Sequence, residues 1–148
     1  MTKRVAYLAG AWLLVAAWPA QAEKAQKPLL ERLAVYCAGA ASPDGFQSPE
    51  GADSARDLRQ ALAGKKKTLR LVDDPQAADV QVIVDGRERG ALKTVYVTLM
   101  AGAHEERLVG SDDLLWQLAA DNVAKQVDRW LKFNRVRLMA SRVRAANP

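Results

Sequence analysis

Hydrophobic residues along this chain follow two periods. Val80, Val82 and Val84 alternate with Gln81, Ile83 and Asp85, the period-two pattern of a half-buried strand starting at Asp79. Leu92 to Met100 repeats it, with Val95, Val97 and Leu99 set against Thr94, Tyr96 and Thr98. Shorter apolar runs at 32–38 and 68–72, and a weaker one at 105–109, read as further strands, the last an edge. Helical spacing appears twice. Ala55, Leu58 and Leu62 recur in steps of three and four, which predicts a helix over 54–63 capped by Asp53 or Ser54 and ended by Gly64. Trp116, Ala119, Ala120, Val123, Val127, Trp130 and Leu131 form a longer stripe. They predict an amphipathic helix over roughly 112–133, capped by Ser111 and widened at its start by Leu114, Leu115 and Leu118.

Turn residues separate these elements. Gly39 to Gly51, with Pro43, Pro49 and Phe46, reads as a long loop. Asp73-Asp74-Pro75, Gly86 to Gly90 and Ala101 to His104 read as turns. The order is therefore β-α-β-β-β-β-α. It predicts an α/β fold of the α+β type: a two-layer sandwich with a mixed or mainly antiparallel sheet of four or five strands and two helices on one face. Gln81, Asp85, Thr94 and Thr98 leave the other face suited to solvent.

The ends of the chain read differently. Lys3 and Arg4 precede an apolar run from Val5 to Trp18, Pro19 breaks it, and Ala20-Gln21-Ala22 offers a small-x-small cleavage site. This is the three-part pattern of a secretory signal peptide over 1–22. The run is shorter than the roughly 20 residues that span a bilayer, and no second run of spanning length follows, so no transmembrane segment is expected after cleavage. Residues 23–30 read as a flexible lead-in, 31–134 as a single domain and 135–148 as a basic C-terminal tail. Within that tail Arg135-Val136-Arg137-Leu138 permits a short strand or a disordered end. The expected location is exported, periplasmic or secreted.

Composition narrows the chemistry. The chain has 148 residues and a net charge of +5, with one Cys and one His. That excludes an internal disulfide framework and a zinc site of Cys and His alone. Cys37 lies in an apolar run and reads as a buried inert thiol; His104 reads as an exposed loop side chain. Asp73, Asp74 and Asp79 read as turn and capping carboxylates. No Gly-rich phosphate loop is present. We therefore expect no catalytic set, no metal site and no cofactor. The positive signals are basic. Lys65, Lys66 and Lys67 follow the first helix, where the dipole favours cations. Arg135, Arg137, Arg142 and Arg144 crowd the end, and Asp128 is the last acid. Phe46 in the long loop is the remaining candidate for binding.

One resemblance covers most of the chain. The run Phe46, Asp53-Ser54-Ala55-Arg56-Asp57-Leu58, Leu71-Val72-Asp73-Asp74, Ala78-Asp79-Val80, Arg87-Glu88 and the closing Trp116…Ala119-Ala120…Val127…Trp130…Asn134 resembles small exported bacterial proteins with no assigned function. More distantly it is similar to small envelope domains, such as the amino-terminal domain of the Tol–Pal periplasmic protein and the lipoprotein activators of penicillin-binding proteins. The resemblance implies a binding or assembly role rather than catalysis. The expected function is a non-catalytic binding or accessory domain of the bacterial envelope, whose partner is an envelope protein or anionic envelope component rather than nucleic acid. Two rivals stand beside it: a small periplasmic hydrolase or hydrolase inhibitor built around 39–51, and a self-associating structural component.

Overall fold

The computed structural model describes residues 31–146 except 43, 44, 46 and 47. The expected signal peptide, the lead-in and Phe46 lie outside the described residues. The elements are β1 (Leu33–Gly39), α1 (Pro49–Ala63), β2 (Leu69–Val72), a 3-10 turn (Pro75–Ala77), β3 (Val80–Arg89), β4 (Lys93–Ala101), β5 (His104–Asp112) and α2 (Trp116–Ala146). The sheet order is β2-β1-β3-β4-β5. β1 lies parallel to both β2 and β3, while β3, β4 and β5 form an antiparallel meander. The sheet is thus mixed. The helix between β1 and β2 returns the chain to the end it started from, which permits parallel pairing, and the short turns after β3 and β4 reverse it.

One face of this sheet makes the core. Leu33, Val35, Cys37, Val80, Val82, Val84, Val95, Val97, Leu99 and Leu108 point inward and are buried. They meet Leu58 and Leu62 of α1 and Ala119, Ala120, Val123, Val127, Trp130 and Leu131 of α2. The alternation in β3 and β4 therefore carries the sheet's two faces as expected. The other face is open, with Asp85 and Tyr96 exposed and Gln81, Thr94 and Thr98 half-buried. Thr98 donates to Asp85 at 2.7 Å there, and the Tyr96 hydroxyl donates to Glu88 at 2.8 Å.

Several boundaries move. α1 begins at Pro49, not at 54, because Ser48 caps it: its side chain accepts from the Gly51 N–H at 3.0 Å. Pro in the first turn needs no N–H partner. Gly51 lies inside α1 rather than in a turn, and Gly39 is what lets β1 approach it: a Cβ on Gly39 would come within 3.1 Å of the Gly51 carbonyl. Ser54 consequently sits inside the helix, buried, with its hydroxyl unpartnered. The charged stretch from Gly86 is strand rather than turn; a register irregularity between Val84 and Gly86 lets β3 run on to Arg89. β5 extends to Asp112 and so consumes the expected cap Ser111. Asp112 instead accepts from the N–H groups of Leu114 and Leu115 at 2.8 and 3.1 Å. Leu114, Leu115 and Leu118 are exposed and do not widen the buried face of α2.

The largest difference is at the C-terminus. The 135–148 stretch is neither strand nor loose tail through residue 146; α2 continues unbroken to Ala146. Leu138 is buried, and Met139 packs against the core from the side.

The free sheet edges are blunted. The Gln126 amide donates to the Val109 carbonyl of β5 at 2.7 Å and the Asn122 amide to the Ser111 carbonyl at 3.0 Å. The opposite edge, β2, is only four residues long. Both devices discourage strand addition.

Candidate binding surface on the second helix

From Val127 onward α2 carries apolar side chains on two opposite sides. Val127, Trp130, Leu131 and Leu138 face the domain and are buried. Phe133, Val136, Ala140 and Val143 face away and are exposed. Phe133 is 89% exposed, Val136 84% and Val143 63%. Single exposed apolar side chains are ordinary, whereas a contiguous row rimmed by charge marks an interaction surface. Arg129, Lys132, Arg137 and Arg144 rim the row and are themselves exposed.

A groove of about 360 Å³ adjoins the row, lined by Glu106 and Leu108 of β5 and by Gln126, Arg129, Trp130 and Phe133 of α2. Trp130 is held on several sides. Its indole N–H donates to Glu106, His104 stacks on its ring at 5.7 Å, and the Arg137 guanidinium lies 6.0 Å from its centroid. His104 is exposed as expected, but it is the first residue of β5 rather than a loop side chain, stacked on the indole and 3.5 Å from the Glu106 carboxylate.

The helix extension is tied down by ions. Arg142 donates from Nε to Asp79 Oδ1 at 3.0 Å and from a terminal nitrogen to Oδ2 at 2.5 Å; a further terminal nitrogen reaches Glu31. This forked geometry matches a carboxylate. The Asp79 bond raises the Arg142 pKa above its ordinary value; burial opposes it, and Glu31 adds to the rise. Asp79 also accepts the Ala34 N–H at 2.6 Å, so one carboxylate joins β1, the entry to β3 and the last turns of α2. Arg135 donates to the Glu31 carbonyl at 2.7 Å.

The basic candidates divide accordingly. Arg135 and Arg142 converge on Glu31 and serve the fold. Arg137 packs near Trp130, and Arg144 is exposed in the last turn of α2. Lys66 and Lys67 are exposed in the turn after α1, while Lys65 is half-buried there. Lys65 lies near Asp128, which also binds Lys132 and Thr68. Burial alone raises the Asp128 pKa, but the bonds from Lys132 and Thr68 and the charges of Lys132 and Lys65 outweigh it, and the carboxyl titrates below its ordinary value. The segment between α1 and β2 and the middle of α2 thereby meet in one charged cluster.

Chemical groups elsewhere are dispersed or occupied. Cys37 is buried, and desolvation pushes its thiol up to about 12, against the lowering charge of Arg59. It stands on β1, three strand positions from His104 on β5, or about 14 Å at the usual inter-strand spacing, so the two do not form a pair. Asp73 binds Arg59 and Asp74 caps the 3-10 turn. Among the described residues no group of three or more His, Cys, Asp or Glu is placed to hold a metal ion. No helix among them is long and apolar enough to cross a membrane.

Comparison with known proteins adds no assignment: no family model and no curated protein matches the chain.

The outward row on α2 went unread in the sequence because the buried row lies opposite it. Drawn as one helix, residues 130–144 show apolar positions on both sides, which hides the amphipathic pattern. The signal that finds it is the three-four-three spacing of Phe133, Val136, Ala140 and Val143.

Proposed function

We propose that this protein is an exported, non-catalytic binding or accessory domain of the bacterial envelope, and that the outer face of α2 with its adjoining groove is the surface it uses. The observation that carries the reading is the uncovered Phe133–Val143 row on a helix that is otherwise anchored. Export is supported by the signal-peptide pattern of residues 1–22, and a binding role by the resemblance to envelope-assembly domains. The thiol and imidazole lie on separated strands, which supports a role other than nucleophilic catalysis. The capped carbonyls of β5 speak against self-association through that edge.

The test is capture from a native envelope fraction, using the chain and a Phe133→Ser/Val136→Ser variant with unchanged thermal stability. A partner retained by the first and lost by the second is the expected result. Equal retention by both places the surface elsewhere. A metal-independent hydrolytic turnover of the purified protein, abolished by one point substitution, overturns the non-catalytic reading.

A further inference from the structure

We infer that the occupant of the Phe133–Val143 face is an amphipathic helix with acidic flanks, an inference that rests on the binding reading above. Phe133, Val136, Ala140 and Val143 follow three-four-three steps, the spacing of the seam between two paired helices. Each is exposed along a continuous helix. The seam is one row wide. A helix that lies in a lipid interface presents a broader apolar face, and here Arg129, four residues before Phe133, puts a cation in line with the row.

Charge selects among helical partners. Lys132 and Met139 stand on one flank of the seam, Arg137 and Arg144 on the other, and no acid follows Asp128 in the chain. In a second copy of this chain the flanks would place cation against cation, in parallel or antiparallel pairing, which is destabilising. A helix with Asp or Glu beside its apolar seam meets Arg137 and Arg144 with opposite charge, whereas Lys132 already pairs with Asp128 at 2.6 Å. The adjoining groove, floored by Leu108 and Trp130, offers room for one larger apolar side chain at the Phe133 end. Complementary rim charges speed encounter and set specificity, so salt weakens the complex.

The experiment titrates the full chain with two synthetic helices that share Leu at the seam positions and differ in their flanks, all Glu or all Lys. Binding of the Glu-flanked helix about tenfold or more tighter than the Lys-flanked one is expected. An Arg137→Glu/Arg144→Glu variant, which leaves Arg142 and its partners intact, should reverse that preference; loss of folding would not. Three results overturn the inference: no binding of the Glu-flanked helix, binding of phosphatidylglycerol vesicles that depends on Phe133 and Val136 in its place, or a dimer abolished by Val136→Glu. If the Phe133→Ser/Val136→Ser variant loses its envelope partner while the Glu-flanked helix fails to bind, the face stands and the acidic helix falls. If that variant captures as well as the unaltered chain, the binding face itself is wrong.

Discussion

At the scale of single residues, Gly110 shows how tightly α2 lies on β5. A Cβ there would meet the Ala119 carbonyl oxygen at 2.2 Å and a Val123 methyl at 2.6 Å. Neither is the free end of a flexible side chain, so the helix or strand must move. Gly110→Ala should destabilise by about 3 kcal/mol, the upper part of the overpacking range; a urea midpoint within error of the parent would show that the two elements slide freely. Trp130 has the opposite problem. It is 9% exposed and belongs to the core, so Trp130→Ala should cost about 3–5 kcal/mol. A loss under about 1 kcal/mol in the same urea titration would mean that the ring is held by His104 and Arg137 rather than by the core. Trp130 was readable from its place on the stripe. Gly110 was not, because nothing local distinguishes a glycine that admits a helix from one that turns a chain.

At the scale of elements, α2 is the case where local and tertiary forces part. Its first half is amphipathic and stable through ordinary burial. Its second half buries Leu138 and little else of its length, and stays ordered through the Arg142 fork on Asp79 and the Arg135 bond to Glu31. Removing Arg142 leaves Asp79 without its fork. The pair is partly exposed, so Arg142→Met should cost about 1–2 kcal/mol, less than a fully buried pair. The loss should be local. Amide exchange should accelerate over 135–146 while 119–131 stays protected. Uniform acceleration along α2 would contradict the view of the extension as a separately anchored segment. The partner of Arg142 lies 63 residues away in sequence, which is why the basic end read as a tail.

At the scale of the whole molecule, Asp128 joins α2 to the approach of β2 through Thr68, with Lys132 and Lys65 beside it. Its folded pKa is lowered, so its contribution is fully present above the unfolded carboxyl value and is lost as pH falls through the folded value. Stability should therefore decline in acid, below about pH 4, and Asp128→Asn should flatten that decline while lowering stability at neutral pH. Denaturation curves at descending pH decide it; parallel acid limbs for the two proteins would assign the decline to other carboxylates. Much of this molecule was legible beforehand. The two periods in the hydrophobic pattern determined the element order, the one-sided core and the long helix, because alternation and helical spacing are local records of which side of each element is buried. The early alternation of β3 and β4, in particular, survives intact in the structure. Only the tertiary structure decided which strands pair, where α1 and α2 begin, and that residues 135–146 are helix. Those outcomes depend on a cap at Ser48, a strand that claims Ser111, and an ion pair between distant residues. The uncovered face of α2 also needed the fold. An apolar row becomes a binding surface only once the opposite row is known to be buried.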